Sequence, residues 1–418
     1  MTAIVSTFVA AALAATSVTW SAANSDSAGD QDGPAIAANR NGGVAVVWED
    51  DRDSTDPAND NHSEIYLRYY LNGAAVYERK LSAGGTSGTD WKHRMPDVAL
   101  DDKGNAVVVW ADDPDGNGVF NIPFRVVSPT GTVLGSGQAN ADAAGNQILP
   151  KVAADPDGAP GTAAAVAFTV VWEDIQGTAS TVKAAGYTGT TTKAYEKTAS
   201  QTTGSHHRPD VAVPASGDAT IVWDEDADAN GSYNIGLTRL AKANGGVLLT
   251  PRAANVNGGG QQRRPAIAAD WTGDFSVAWE SDHTGTAGVW VRSFTPAGAG
   301  RHTEVEASSG TGAAAPVVGV DDQGLPVVGW TVGGADGWVR GFNTDGTTTG
   351  GRLAAQTLTQ TTTGRQDQFQ VAVSPWAEVA VCYTDDNDGN GFDQVLLGVG
   401  ASNNDASLLR RLAAERGR

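Results

Sequence analysis

Cysteine is nearly absent: the 418 residues contain one, Cys382, so the chain cannot form an intrachain disulfide. Cys382 stands immediately before Tyr383, at a position where related segments of the chain carry Val, Ala or Gly. A catalytic thiolate needs a histidine partner and a polar setting, and the sequence nearby supplies neither. Cys382 is therefore predicted to be a small buried core residue.

Positive charge is also scarce. The chain has 28 Lys and Arg against 48 Asp and Glu, which gives a formal net charge of −20 and a pI near 4.5. Nucleic acid and acidic lipid surfaces are themselves anionic, so we expect no nucleic-acid partner. This balance fits a well-solvated secreted protein, a cation binder or a partner for basic surfaces, and we expect a monomer.

Long apolar runs are missing as well. The N-terminal run from Ala3 to Ala15 is too short to span a bilayer, so we expect no membrane insertion. It resembles the apolar core of a signal peptide, although no basic segment precedes it. Residues 1–15 are accordingly predicted to be a signal-like segment of an exported, extracellular protein.

Glycine and tryptophan are abundant, with 52 and 12 copies, and both occupy fixed places in a repeated segment. In most copies a proline is followed two residues later by Ile or Val, eight later by Gly and fourteen later by Trp. In the third copy Trp172 comes later than this spacing requires. The copies recur every 50 to 60 residues, roughly. Their anchor positions are Pro34, Pro96, Pro150, Pro209, Pro265, Pro316 and Phe369.

Each copy is predicted to hold four strands. The second strand, such as AVVVW ending at Trp110, is apolar at consecutive positions, which indicates that both its faces are covered. The pattern predicts an all-β fold, a single seven-bladed β-propeller of four-stranded antiparallel blades over residues 16–400. The last copy supplies only three strands, so Val18 to Ser21 are predicted to complete it and close the ring. Residues 401–418 are expected to form a short helix or a frayed basic tail.

The pattern P-x-(I/V)-A, Gly, an apolar run and W-(E/D)-D extends from about Val18 to Gly400. It resembles a Trp-rich repeat found in tandem in large secreted bacterial proteins. The resemblance implies a β-propeller that is often associated with calcium, and it implies no particular activity.

The loops between the second and third strands are acidic, and three align without a gap: DDPDGNG from Asp112, EDADANG from Glu225 and DDNDGNG from Asp385. Oxygen donors at alternate positions followed by Gly suit a structural Ca²⁺, which takes roughly six to eight such ligands. The segments look like calcium-binding loops but lack the final Glu of an EF-hand. Asp and Asn also form self-bonded turns, and that interpretation stays open. The candidate ligands are Asp113, Asp115, Asn117, Asp226, Asp228, Asn230, Asp386, Asp388 and Asn390.

Gln or His stands three residues before the anchor in six of the seven copies. A repeated Gln is expected to hydrogen-bond backbone of a neighbouring blade, a structural role. The His and Arg residues break the repeat and share one face of the predicted ring, at the mouth of its channel. They are therefore the better candidates for binding a ligand. The candidate ligand-binding residues are His93, Arg94, His206, His207, Arg208, Gln262 and Arg263.

Two further sets of residues carry expectations. The arginines of the third strands are expected to pair with carboxylates that follow the repeated tryptophans. These arginines are Arg68, Arg125, Arg292 and Arg340. Three tryptophans lie off the repeat and could stack on sugar rings. They are Trp91, Trp271 and Trp376.

Known catalytic signatures are absent from the sequence. The first hypothesis is a calcium-stabilised, non-enzymatic module that binds a glycan or a protein at the channel mouth. The alternatives are a secreted glycoside hydrolase or polysaccharide lyase that uses the same face, and a purely structural repeat. Two convergent carboxylates in a deep mouth, or a His near an Arg, would favour the enzyme.

Overall fold

The computed structural model describes residues 18–54, 62–83, 91–158, 165–308, 312–350, 352–359, 366–386 and 391–402. Every regular element within these ranges is a β-strand. No helix in the described ranges is long and apolar enough to cross a membrane. The predicted signal-like segment and the tail beyond residue 402 lie outside the described residues.

The strands form four-stranded antiparallel groups, numbered as units one to seven in chain order. An N-terminal strand β1 (Thr19–Ala22) precedes unit one. Units one and two contain β2 (Gln31–Ala38), β3 (Gly43–Asp50), β4 (Glu64–Leu71), β5 (Ala74–Lys80), and β6 (Lys92–Leu100), β7 (Ala106–Asp113), β8 (Pro123–Val127), β9 (Val133–Gln138). Units three and four contain β10 (Asn146–Ala154), β11 (Phe168–Gln176), β12 (Ala179–Tyr187), β13 (Lys193–Thr198), and β14 (Ser205–Ala212), β15 (Ala219–Asp226), β16 (Asn234–Leu240), β17 (Val247–Ala253). Units five and six contain β18 (Gln262–Ala269), β19 (Phe275–Ser281), β20 (Gly288–Phe294), β21 (Val305–Glu306), and β22 (Ala313–Val320), β23 (Pro326–Val332), β24 (Asp336–Gly341), β25 (Gln356–Thr357). Unit seven contains β26 (Gln366–Val373), β27 (Glu378–Asp385) and β28 (Gln394–Ser402).

Unit seven takes its fourth strand from the other end of the described chain. β1 pairs antiparallel with β28, from Thr19 opposite Val399 to Ala22 opposite Leu396. The predicted strand and the observed one differ by one residue at each end. Units three and four are joined into one eight-stranded sheet by a single parallel bridge between Ser180 and Ser205.

The first strand of every unit carries a β-bulge at the same place, immediately before the anchor position. The residue before the anchor has a positive φ in each unit, between 49° and 57°. These left-handed residues are Gly33, Met95, Leu149, Arg208, Arg264, Ala315 and Gln368. Six of them are not glycine, and such residues rarely adopt this conformation. A bulge re-aims the side chain that it contains, so the six side chains at these positions are directed differently from their neighbours in the strand.

The repeated tryptophans pack between units rather than within one. Trp110 of β7 is 2% exposed and lies in one apolar cluster with Ile65 and Leu67 of β4. Replacing such a side chain with alanine costs about 3–5 kcal/mol, so this layer supplies much of the stability that joins the units. Cys382 is fully buried, and burial raises the pKa of its thiol, as expected for a core residue.

The prediction for the third-strand arginines is wrong. Arg125 Nη1 donates to the carbonyl of Phe124 at 3.2 Å, and its guanidinium lies 5.5 Å from the centre of the Trp110 ring. Arg68 donates to the carbonyl of Ala23 at 2.9 Å, and Arg292 donates to the carbonyl of Ala254 at 2.7 Å. Arg340 donates to the carbonyl of Ala307 in the same way. Each of these alanines follows the outer strand of the preceding unit, so these three arginines fasten neighbouring units through backbone carbonyls. Sequence spacing could not show this, because the acceptor is a carbonyl that every residue carries.

The first strands of consecutive units lie side by side. β2 contacts β6, β6 contacts β10, and the series continues through β14, β18 and β22 to β26. β26 also contacts β2. The loops that enter the first strands and those that join second to third strands therefore lie at one end of this arrangement, and the turns from first to second strands lie at the other.

Candidate functional site

A cavity of about 490 Å³ lies between the first strands. Each unit contributes the left-handed residue and its neighbours around the anchor. The lining consists of Gly33–Ile36, Met95–Val98, Leu149–Val152, Arg208–Val211, Arg264–Ile267, Ala315–Val318, Gln368, Gln370 and Val371. This volume is typical of small-ligand sites, which measure roughly 300–1,000 Å³.

Charged side chains occur on one side of the cavity, directly after the anchor prolines of units two, three and four. Lys151 Nζ lies 3.2 Å from Asp97 Oδ1, and Asp97 Oδ2 accepts the Val152 N–H at 2.8 Å. Asp210 Oδ2 accepts the Ile267 N–H at 2.8 Å. Burial raises the pKa of Asp210 to about 6, against the opposing effect of Lys151. Burial would lower the pKa of Lys151, but Asp97 and Asp210 outweigh it and raise that pKa.

The candidate residues from the sequence do not include this charged group. A signal for it exists, because the position after the anchor holds different residues in different copies. These residues are Ala35, Asp97, Lys151, Asp210, Ala266, Val317 and Gln370. In copies two to four this position holds a charged residue, whereas it is mostly apolar in the other copies. That difference could have identified the charged group from the sequence.

At the mouth of the cavity, Asp224 holds two arginines of neighbouring units. Its Oδ2 lies 2.7 Å from Arg208 Nη1, and its Oδ1 accepts the backbone N–H of Arg264 at 2.7 Å. Arg264 in turn reaches Glu280, with Nη1 to Oε1 at 3.0 Å. The Asp224 side chain is fully buried, which raises its pKa to about 6, and Arg208 opposes that shift.

His207 continues this network into unit three. Its Nδ1 lies 2.7 Å from Glu173 Oε1, and Glu173 Oε2 accepts the Arg208 N–H at 3.2 Å. The Glu173 carboxylate raises the pKa of His207. Burial alone would raise the pKa of Glu173, but the bonds from His207 and Arg208 lower it. A chain of paired charges therefore runs along the mouth from unit three to unit five.

In four units an acidic residue directly follows the repeated tryptophan, and each of these residues accepts the backbone N–H of a left-handed residue in the next unit. Glu49 accepts the Met95 N–H at 2.8 Å, and Glu280 accepts the Ala315 N–H at 2.8 Å. Glu173 and Asp224 make the same contact with Arg208 and Arg264. Between units seven and one, the Gln368 side chain accepts the Gly33 N–H instead. The W-(E/D) motif is thus explained as a joint between units.

Three of the predicted ligand-binding residues are buried within the sheets. His93, His206 and Gln262 are each 2% exposed or less. Gln262 Nε2 donates to the Gly259 carbonyl at 2.7 Å, and His206 Nε2 lies 2.9 Å from the Thr203 carbonyl oxygen. Both partners stand three residues earlier, and Gln31 and Gln147 make the same contact with residues 28 and 144. The repeated amide therefore holds its own entry loop rather than a neighbouring unit. His93 Nδ1 instead pairs with Asp112.

The other four predicted residues are at least partly accessible. Of all seven, only Arg208 lines the cavity. His207 adjoins it in the network described above, and Arg263 stacks over the Tyr233 ring at 4.5 Å with Nε donating to Gln261. Arg94 lies on β6 opposite Ala111 and is half-buried. Arg264, another cationic residue of the rim predicted from the sequence, has a side chain that is 51% exposed at the mouth.

Two of the predicted calcium loops fold alike. Asp113 accepts the N–H groups of Asn117 and Gly118, at 3.0 and 2.8 Å, and Asn117 Nδ2 donates to Asp115. The second loop repeats this set with Asp226, Asp228, Asn230 and Gly231. In the third loop Asp386 accepts the Gly391 N–H at 3.2 Å, and the predicted ligands Asp388 and Asn390 lie outside the described residues. The loop geometry thus matches a self-bonded turn, and a Ca²⁺ ion there stays a prediction.

Within the described ranges, one group of three carboxylates has the spacing of a metal site. Asp30, Asp32 and Asp393 offer oxygens that lie within 4.8 Å of one another, at the junction of units seven and one. The Asp393 N–H already bonds Asp30 at 2.6 Å, and Gln368 Nε2 donates to Asp32 at 3.2 Å. Hydrogen bonds therefore hold two of these carboxylates in place.

The far end of the arrangement is covered by Arg40, from the first turn of unit one. Its guanidinium lies 4.8 Å from the centre of the Trp271 ring and 5.5 Å from that of Trp376. It also pairs with Asp102, at 3.3 Å, and with Asp322. Two of the off-repeat tryptophans thus stack on an arginine of the chain rather than facing outward to a sugar. Trp91 packs against His62 with the two rings tilted, their centres 4.1 Å apart.

Comparison with known proteins identifies the fold. No protein-family model and no curated relative matches the chain. A protein of unknown function from Dyadobacter fermentans is similar with a TM-score of 0.51 and 11% identity, over 77% of this chain and 97% of that one. A Penicillium chrysogenum α-L-arabinanase, complexed with arabinobiose, is similar with a TM-score of 0.50 and 8% identity, over 76% of this chain and 96% of that one. The arabinanase is a β-propeller, and together with the four-stranded antiparallel sheets this likeness defines a β-propeller protein.

Proposed function

We propose that the chain is a seven-bladed β-propeller, closed by β1, that binds a glycan at the mouth of its central cavity without turning it over. The observation that carries the proposal is the composition of the cavity wall. All seven first strands contribute to it, and its charged groups lie on units two to five, while unit seven adds the uncharged amides Gln368 and Gln370. A scaffold role alone does not require such asymmetry, since the structural contacts recur from unit to unit.

The size and chemistry of the cavity favour a glycan over a protein surface. About 490 Å³ admits a small group rather than a folded surface, and the far end is covered by Arg40. Sugar hydroxyls both donate and accept hydrogen bonds, so they match a wall that offers guanidinium, ammonium and carboxylate groups together.

The hydrogen bonds that the mouth carboxylates already make favour binding over catalysis. Glycoside hydrolysis needs two carboxylates, one to protonate the leaving oxygen and one to act as base or nucleophile. Glu173, Asp224 and Glu280 each accept the backbone N–H of the next unit. Because these carboxylates already hold the contact between units, they are poorly suited to exchange protons with a substrate.

A hydrolase is the second candidate, and specific observations support it. Asp97 and Asp210 both line the cavity, and the pKa of Asp210 is raised to about 6, in the direction that a general acid requires. His207 also lies beside Arg208 at the mouth. In this alternative Asp210 protonates the leaving oxygen and Asp97 is the second carboxylate.

One experiment separates the two candidates. The protein is screened on a glycan array, and each bound glycan is then incubated with wild type and with Asp210→Asn in assays for new reducing ends and for lyase absorbance. We expect binding without products. Products that the wild type forms and Asp210→Asn does not would establish the hydrolase instead.

We also propose that the protein acts outside the cell and that Ca²⁺ stabilises the loops containing Asp113, Asp226 and Asp386. The motif spacing and the acidic composition support this part of the proposal. A thermal unfolding experiment with and without Ca²⁺, described in the Discussion, tests the metal.

A further inference from the structure

Two arginines occupy equivalent places on neighbouring strands at the mouth. Arg208 on β14 and Arg264 on β18 are both left-handed bulge residues, with φ of 49° and 53°, and both line the cavity. Their side chains are 43% and 51% exposed. The same position in the other five units carries Gly, Met, Leu, Ala or Gln, so positive charge at this level is confined to one arc.

Each guanidinium group is fixed by an ion pair with a carboxylate. Arg208 Nη1 lies 2.7 Å from the buried Asp224 carboxylate, and Arg264 Nη1 lies 3.0 Å from Glu280. A guanidinium carries five N–H donors, and within the described part of the chain each of these two uses one nitrogen for its carboxylate. The remaining donors are positioned in advance, which lowers the entropy cost of engaging a ligand.

The local charge differs from that of the whole chain. The net charge is −20, whereas the residues that line the cavity include three cationic side chains, Lys151, Arg208 and Arg264, against two acidic ones, Asp97 and Asp210. The carboxylates that pair with the two arginines, Asp224 and Glu280, are outside this lining. An anion approaching most of this protein is repelled. At the mouth it meets two fixed guanidinium forks, whose planar geometry matches a carboxylate.

We propose that the bound glycan is acidic and that Arg208 and Arg264 hold the carboxylate of a uronate residue. This inference rests on the proposed glycan-binding function and specifies its ligand. The hydroxyls of the same sugar then face Asp97, Lys151 and Asp210 in the cavity below.

The test uses the full chain and titration calorimetry. The probes are tri- to hexasaccharides of galacturonate and of mannuronate, each beside its carboxyl-reduced, neutral counterpart. The variants are Arg208→Gln and Arg264→Gln, because unit seven carries Gln368 at the same left-handed position with φ of 53°. Arg301→Gln is the matched control, since Arg301 pairs with Asp274 near the opposite end.

We expect the wild type to prefer a uronate oligosaccharide at least tenfold over its reduced form. Each mouth variant should lose about tenfold or more of that affinity, while Arg301→Gln retains it. Equal affinity for charged and reduced forms, or mouth variants that bind like the control, overturns the uronate inference and leaves glycan binding standing. If the wild type binds no charged or neutral oligosaccharide, here or on the array, both the inference and the proposed function fail. Thermal midpoints within a few degrees of wild type confirm that each variant is folded.

Discussion

The carboxylate of Asp224 accepts the backbone N–H of Arg264 across the boundary between units four and five, at 2.7 Å. The same carboxylate pairs with Arg208. One buried side chain thus joins two units and also positions two arginines at the mouth, so stability and ligand recognition are coupled at this residue.

Replacing Asp224 with alanine should therefore weaken both properties. The Arg264 N–H and the Arg208 guanidinium lose their acceptor, which costs about 1–3 kcal/mol in free energy of unfolding. Urea denaturation monitored by tryptophan fluorescence measures this loss. Asp345→Ala removes one exposed carboxylate far from the mouth and serves as the control. Equal stability of the two variants would contradict the coupling.

Asp210 should contribute less to the free energy of unfolding as the pH rises. Its folded-state pKa of about 6 exceeds its ordinary value of 3.8, so between these values the folded protein binds more protons than the unfolded chain. The contribution of Asp210 to the free energy of unfolding therefore falls as pH rises from about 4 to about 6. Stability of Asp210→Asn relative to wild type should improve between pH 4.5 and pH 7.5 by on the order of 1 kcal/mol.

Asp345→Asn provides an internal comparison for this measurement. Hydrogen bonds from the Thr347 N–H and hydroxyl lower the pKa of Asp345, so its contribution to stability is present above the ordinary pKa and is lost as pH falls. The stability of Asp345→Asn relative to wild type should change in the opposite direction. Parallel pH profiles for the two variants would disprove the raised pKa of Asp210.

Arg40 should stabilise the far end by linking unit one both to its neighbour in the chain and to units distant in the chain. It stacks on tryptophans of units five and seven and pairs with carboxylates of units two and six. A cation over an aromatic ring contributes about 0.5–2 kcal/mol, so Arg40→Ala should lose on the order of 1–3 kcal/mol. Tryptophan fluorescence emission should shift to longer wavelength because Trp271 and Trp376 become more exposed to solvent. Arg301→Ala, which removes an arginine outside this contact, should change neither property.

Trp20 should report on the closure of unit seven. Its ring meets Tyr383 edge-on, with centres 5.7 Å apart, and it lies so close to Gly398 that a Cβ there would come within 2.5 Å of it. Trp20→Ala should cost about 2–3 kcal/mol, and Gly398→Val should also destabilise by displacing the ring. Hydrogen exchange should accelerate at the β28 amides opposite β1. Unchanged exchange in β28 would mean that β1 does not hold this unit closed.

Calcium should raise the thermal midpoint if the acidic loops bind it. A ligand present at about 100 times its Kd adds roughly 2.7 kcal/mol to the free energy of unfolding. We expect EGTA to lower the midpoint and Asp113→Asn, combined with Asp226→Asn, to reduce the effect of added Ca²⁺. An identical midpoint in EGTA and in Ca²⁺ would identify these loops as turns only.

The fold was largely readable from the sequence because its determinants are local. The anchor prolines, glycines and tryptophans recur at spacings that define strands and turns, and they led to the pairing of β1 with the last unit. The burial of Cys382 followed from its alignment with apolar residues of other copies. Such features depend on backbone conformation and on which face of a strand is covered.

The candidate site was predicted only in part because its contacts join residues far apart in the chain. Asp224 and Arg264 lie 40 residues apart in neighbouring units, and Arg40 meets Trp376 across most of the sequence. His206 and Gln262 look like mouth residues by position, yet both turn back to their own entry loops. The bulge before each anchor decides which side chain faces the cavity, and no residue type marks it, since six of the seven left-handed residues are not glycine.

The bulge has a consequence for how this protein can diversify. In units two, four, five and six a backbone N–H bond to the acidic residue of the previous unit holds this position, so that contact does not depend on the side chain there. Unit seven differs, because the Gln368 side chain itself accepts the Gly33 N–H. Glycine, methionine, leucine, arginine, alanine and glutamine all occupy the position within a single chain. In those four units the scaffold therefore offers positions around one opening where the residue can be exchanged, so ligand preference can change one residue at a time while the architecture stays the same.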